Sequence, residues 1–174
     1  MTLPTILIPA IAEDGSLYPV EKLAAHRDGL YHLAVSIFVF DGEHLLIQKR
    51  ASSKYHSGGL WANSCCTHPN WEEQLDQCAG RRLEEELGFS VPLTRRRVVE
   101  YSADVGNGLH EHERVTMYVG QADRTQTTLS LGPQEVEAAR WVQRDALRAE
   151  MKAQPELFTP WFRIYVDRYP ELQF

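Results

Sequence analysis

Apolar and polar positions alternate in several short stretches of this chain, and recur at helical spacing in one longer stretch. Thr5-Ile6-Leu7-Ile8 predicts a short strand, with Asp14-Gly15 as a turn behind it. Val20 to His26 predicts a short helix carrying Lys22. Tyr31 to Phe40 is a long apolar run, and Asp41-Gly42 followed by His44-Leu45-Leu46-Ile47 completes a hairpin signature. Ala51 to Leu60 is polar and contains glycine, a loop holding Lys54. Asn70 with Glu73 three residues later makes a capping-box pattern; Leu75, Cys78, Ala79, Leu83 and Leu87 then share one helical face, ended by Gly88. Strands are predicted at roughly Arg97 to Ser102, His110 to Gln121 and around Arg140-Trp141-Val142. Thr159-Pro160 supplies an N-cap and a first-turn proline for a last helix through Tyr165. Strands, one long central helix and a terminal helix indicate a mixed α/β (α+β) sheet domain.

The strand over His110 to Gln121 carries an anomaly. Alternation puts Glu111, Glu113, Val115, Met117 and Val119 on one face, so two glutamates continue the core-facing stripe. A buried carboxylate needs a cation or hydrogen-bond donors. Either a partner such as a histidine-held metal waits inside, or this strand end frays into solvent. His26 ends the first helix, and His32 shares a face with the small residues Ala34 and Ser36. Those two and His68 become metal ligands only if the fold brings them beside Glu111 and Glu113; such a set suits Mn²⁺, Mg²⁺ or Zn²⁺. His44, His56, His110 and His112 read as turn or surface residues.

Composition narrows the classes. At 174 residues, 43% hydrophobic and 24% charged, the chain reads as one globular domain. A net charge of −6 argues against binding nucleic acid through a basic face, but leaves room for a small anionic ligand. Three cysteines, two adjacent, make no disulfide framework, so reduced thiols and a cytoplasmic setting are expected. No signal peptide and no membrane span are read. Cys78 lies on the apolar helix face, whereas spacing alone does not choose between Cys65 and Cys66 as the reactive thiol.

Several separated motifs then fall into register: Val20-Glu21-Lys22 leading to His26; the His32 strand; Arg50-Ala51-Ser52-Ser53-Lys54; Trp61-Ala62-Asn63-Ser64-Cys65-Cys66-Thr67-His68-Pro69; Arg81-Arg82-Leu83-Glu84-Glu85-Glu86-Leu87-Gly88; Glu111-His112-Glu113; and Thr159-Pro160-Trp161. In order and spacing they resemble the type 1 isopentenyl diphosphate isomerases of the Nudix superfamily. The resemblance implies a Nudix-like mixed sheet sandwiched by helices in a single domain, 1–174. Its core would run over about 30–145, with the N-terminal strand and helix and the C-terminal helix completing the site. It implies a 1,3-allylic proton shift between isopentenyl and dimethylallyl diphosphate, as in isoprenoid biosynthesis. It makes Cys66, two positions before His68, the catalytic thiol, with Glu113 and Tyr101 handling the proton on the opposite face and Trp161 offering a π face to the cation. It makes His26, His32, His68, Glu111 and Glu113 the metal ligands. Lys22, Arg50, Lys54 and Arg82 would surround the diphosphate, with a second Mg²⁺ bridging it to Glu86. A monomer or weak homodimer is expected.

One departure separates this chain from the Nudix hydrolases. Their pattern has Glu after the first Arg; here Arg82 follows Arg81, while Thr67 replaces the pattern's first glycine. Trading a metal carboxylate for a cation disfavours water activation and favours holding a diphosphate. The simpler reading of Arg82 is a helix-surface residue paired with Glu86 four positions on. A pyrophosphatase, a non-catalytic diphosphate-binding module and a Cys-His hydrolase are the competing classes.

Overall fold

The computed structural model describes residues 5–169; the ends of the expected 1–174 domain lie outside the described residues. Strand β1 (Leu7–Ile11) pairs antiparallel with β2 (Leu17–Glu21) across the Asp14-Gly15 turn, where Gly15 takes φ +83°. This second strand displaces the start of the expected helix: Val20 and Glu21 pair with Ile8 and Leu7, so helix α1 (Lys22–Arg27) begins only after them. The Glu21 carboxylate caps it, accepting from the Leu23 and Ala24 amides at 2.9 and 2.7 Å.

Strand β3 (Tyr31–Asp41) is the hub. One edge runs parallel to β8 (Leu109–Gln121), in a register that sets His32 opposite Glu113. The other edge is shared by β1 through Ala10↔His32, by β6 (Cys65–Thr67) through Ser36↔Cys66, and by β4 (His44–Arg50) through Phe40↔Leu45 and Asp41↔His44. Gly42 and Glu43 form the two-residue hairpin loop expected at Asp41-Gly42, with Gly42 at φ +54°. Strand β4 also pairs with β5 (Trp61–Ala62) and β9 (Val136–Gln143), and β7 (Thr94–Gly106) pairs with β8.

Helix α2 (Leu75–Leu87) covers one face of the sheet, packing Cys78, Ala79, Leu83 and Leu87 onto Val35, Ile37, Val39 and Leu46. Each fully buried side chain of this size contributes roughly 1.5–3 kcal/mol, and Leu83→Ala would cost about 2–5 kcal/mol. The capping-box expectation is corrected here: Gln74, not Asn70, is the N-cap. Asn70 and Glu73 instead close a turn, the Glu73 carboxylate accepting from the Asn70 amide at 2.8 Å and from Arg81. Helices α3 (Arg144–Ala153), unread in the sequence, and α4 (Pro160–Arg168) supply side chains to the other core. There Leu147, Met151, Trp161, Phe162 and Tyr165 cluster with Phe38, Val115 and Met117. Alternation along the strands sorts the chemistry: the side of the sheet that carries Val115 and Met117 also carries His32, Ser36, Glu111 and Glu113.

Candidate active site

The two glutamates of β8 are 3% and 1% exposed, so the core-facing reading holds and the frayed-end alternative is excluded. Three imidazoles meet them. His26 from α1, His32 from β3 and His68 after β6 stand with ring centroids 5.0 Å apart in every pairing. His32 Nε2 lies 3.3 Å and His68 Nε2 2.8 Å from Glu113 Oε1. Across the site, the Tyr101 hydroxyl sits 2.5 Å from Glu111 Oε2 and 2.8 Å from Glu113 Oε2. Its single proton serves one contact at a time, so the other needs a proton on a carboxyl group. Burial and the neighbouring Glu113 charge push Glu111 well above the ordinary carboxylate range. Burial acts on Glu113 in the same direction, but the contact with His68 outweighs it and holds that group well below.

The donor set fits a divalent cation. His26 Nδ1 is 2.7 Å from the Lys22 carbonyl and His32 Nδ1 is 2.6 Å from the Leu30 carbonyl. A carbonyl only accepts, so each Nδ1 carries the proton and each Nε2 keeps a bare lone pair. Both Nε2 atoms are buried without a hydrogen-bond partner. This outer hydrogen bond is the arrangement that orients histidine ligands toward a metal. Burial keeps His26 neutral, down to about 4, and holds His68 well below its ordinary value. The atoms of His26, His32, His68 and Glu113 all lie within 4.8 Å of one another. Glu86 does not join them. Its oxygens are taken by Gln48 Nε2 at 2.8 Å and Arg82 Nη2 at 2.7 Å.

Strand β6 resolves the cysteine pair by alternation. Cys65 points into the α2 core and is fully buried; Cys66 faces the opposite core and opens on the cleft. Burial and the Glu113 and Glu111 charges push the Cys66 thiol well up, so it is protonated. Ser36, opposite Cys66 in the sheet, lies 3.1 Å from its sulfur and 3.1 Å from the Tyr165 hydroxyl. Neither Ser36 nor Tyr165 was singled out from the sequence for this contact; both sit on core faces where a polar group is the only signal.

The narrow cleft beside the thiol is lined by Lys22, Arg50, Lys54, Arg82, Trp161, Glu86 and Glu111 among others. Burial, with Lys54 and Arg82 close by, lowers Lys22 to about 8. Lys54 pairs with Glu135 at 2.6 Å, a residue the sequence reading missed. Arg82 is neither solvated nor singly paired. It reaches Glu86, Glu85 and Glu135, and its Nε donates to Thr67 Oγ1 at 3.1 Å, so the residue replacing a glycine orients the guanidinium. Trp161 is 1% exposed and its ring lies 5.2 Å from the Arg50 guanidinium carbon. His56 corrects an expectation: read as a turn or surface residue, it is 2% exposed, with Nε2 3.5 Å from Glu111 Oε1. Burial, with Arg50 nearby, lowers it to about 2.

Residues 30–162 match the NUDIX domain family. Over 169 residues the chain is 52% identical to an isopentenyl-diphosphate Delta-isomerase of Cereibacter sphaeroides, covering 96% of this chain and 94% of that one. A Rhodobacter capsulatus protein of the same name is 50% identical, covering 97% and 95%. Among solved structures, the fold resembles DR0079 from Deinococcus radiodurans at a TM-score of 0.65 and 15% identity, covering 84% of this chain and 89% of that one. A MutT protein from Methanosarcina mazei Go1 gives 0.63 at 16% identity, with 82% and 95% covered.

Proposed function

Since this chain belongs to the Nudix family and, within it, to the isopentenyl-diphosphate Delta-isomerases, we propose how its own residues divide the isomerase's work. The reaction moves one double bond of a small diphosphate between isopentenyl and dimethylallyl forms. The π pair takes a proton to form a new C–H bond, leaving a tertiary carbocation; an adjacent C–H pair then collapses into the new double bond as its proton departs. An acid and a base on opposite faces of the substrate, with water excluded, are what that sequence requires.

Cys66 handles the proton on one face, held in place by the Ser36 hydroxyl 3.1 Å from its sulfur. Glu113 handles it on the other, its charge state tied to Tyr101 and Glu111 through the shared proton. Trp161 turns its π system toward the cationic carbon, worth about 0.5–2 kcal/mol. His26, His32, His68, Glu111 and Glu113 would hold a divalent ion, Mn²⁺, Mg²⁺ or Zn²⁺, which when bound supplies the charge that fixes the Glu113 carboxylate. Lys22, Arg50, Lys54 and Arg82 grip the diphosphate, and Glu86 would share a second Mg²⁺ with it. The protein acts as a monomer or weak homodimer in the cytoplasm, on a small molecule rather than a nucleic acid. Among the described residues no helix is long and apolar enough to cross a membrane.

The observation that carries this assignment is the single cleft that gathers a thiol, an indole and four cations beside a buried histidine–carboxylate cluster. A pyrophosphatase is disfavoured by Arg82, which neutralises the carboxylates of α2 that would otherwise bind a water-activating ion. Purified protein given isopentenyl diphosphate and Mg²⁺ should form the acid-labile allylic product and release no phosphate from a nucleotide panel. Phosphate release without allylic product would overturn the reading.

A further inference from the structure

The geometry points to His56 as a further ligand of the metal in this site, the imidazole that brings Glu111 to the ion. This rests on reading the histidine–carboxylate cluster as a metal centre. The argument begins with tautomers. His56 Nδ1 lies 3.3 Å from Ser57 Oγ, and the Ser57 hydroxyl spends its one proton on the Val105 carbonyl at 3.4 Å. Nδ1 is therefore the donor, and Nε2 is left with a bare lone pair. His26 and His32 are fixed in the same tautomer by the Lys22 and Leu30 carbonyls. Three imidazoles thus commit Nδ1 outward and turn Nε2 inward.

What His56 Nε2 faces is Glu111 Oε1, 3.5 Å away, with the His26 ring stacked on it at 5.3 Å between centroids. The other Glu111 oxygen is engaged by Tyr101, as is the corresponding oxygen of Glu113, so both carboxylates present Oε1 to imidazoles. Two lone pairs meeting in a dry site repel unless a cation lies between them. Donors at right angles on a shared ion, each about 2.0–2.2 Å from it, stand about 3 Å apart. The separations found, 3.5 Å for His56–Glu111, 3.3 Å for His32–Glu113 and 2.8 Å for His68–Glu113, are of that kind. The donor atoms form two overlapping groups, His26–His32–His68–Glu113 and His26–His56–Glu111. His26 has one free nitrogen and can serve one ion, so the groups describe one centre rather than two. Without His56, the one imidazole grouped with Glu111 among the described residues is His26, which the other group already uses.

The loop that presents His56 is built for position. Ser57 takes φ +50°, a region few residues other than glycine adopt, and a Cβ on Gly58 would stand 2.7 Å from the Ser52 carbonyl oxygen. His56 is thereby held in the cleft wall between Trp161, at 5.8 Å between ring centroids, and His26.

The test uses Mn²⁺ alone on the full metal-free chain: wild type, His56→Gln, His56→Ala and His68→Gln. Calorimetry reads affinity, and pulsed EPR of the loaded protein reads the number of histidine nitrogens coupled to the ion. Four couplings are expected in wild type and three in His56→Gln, with affinity in both His56 variants down by at least about tenfold, the loss that even outer hydrogen-bond partners cause. Gln keeps a hydrogen bond to Glu111 but is a poor ligand, so wild-type affinity in His56→Gln overturns ligation. Three couplings in wild type overturn it too, whether or not the variants fold. Unchanged binding in His68→Gln would instead sink the metal-centre reading on which the inference stands.

Discussion

Around α2, Glu73 in the turn before the helix and Glu85 and Glu86 on it each face a guanidinium, whereas on β8 Glu111 and Glu113 face imidazoles and a phenol. The contrast is one of neutralisation. Arg81 and Arg82 satisfy these carboxylates by permanent charge, so a cation would reach Glu86 only in company with the negative charge of the diphosphate. The strand carboxylates meet a phenol that donates and imidazoles that titrate, and inward-turned lone pairs remain. A helix that in hydrolases serves a metal is here an internally balanced wall, and the demand for a cation has moved to the sheet.

The largest effects should come from groups on the sheet side. Cys66→Ala and Glu113→Gln should each lower kcat by about 10²–10⁴-fold with the fold intact by circular dichroism, while Glu85→Gln stays within a few-fold of wild type. Equal damage from Glu85→Gln would erase the contrast. Next, Arg82→Gln frees Glu86 and removes a cation from the cleft. The Michaelis constant for isopentenyl diphosphate should rise about tenfold, the scale of one charge-assisted hydrogen bond, with a smaller change in kcat. A kcat-only defect would place Arg82 in the chemistry instead.

A subtler prediction concerns pH. Lys22 in the free protein is depressed to about 8 by burial and by Lys54 and Arg82, so its charge is present below that pH and lost above it. Affinity for the diphosphate should therefore weaken as pH rises through about 8, and Lys22→Met should flatten that limb of the kcat/KM profile. An unchanged limb would remove Lys22 from the diphosphate site. The smallest effect lies in the turn before α2. Pairing with Arg81, against a smaller opposing effect of burial, lowers the Glu73 carboxyl, so its stabilisation is present above the unfolded value near 4.3 and fades as pH falls. Glu73→Gln should cost about 0.5–1 kcal/mol at pH 7 and progressively less as pH falls below the unfolded value, read by chemical denaturation.

Much of this was written in periodicity. Alternation alone put Glu111 and Glu113 inward, and helical spacing marked the buried face of α2. Other parts depend on pairing that no local pattern encodes. Which of Cys65 and Cys66 faces the cleft follows from the register of β6 against β3. His56 lies in a glycine-flanked polar loop without any period, so its burial arises from loop closure and not from a stripe. Asn70 and Glu73 satisfy a capping pattern yet close a turn, because Arg81 claims the same carboxylate.

The parallel register of β3 and β8, with His32 opposite Glu113, has a consequence for how this chain tolerates insertions. Side chains in a strand change sides at every step, so one residue added between Glu113 and Val115 would turn both glutamates toward α2 while the apolar half of the strand kept its place. The sheet would still form, and the site would be gone. One extra residue at the tight β7–β8 turn, where Gly106, Asn107 and Gly108 already take positive φ, would be absorbed there. Length variation in this region should therefore collect at the turn or enter the strand in pairs.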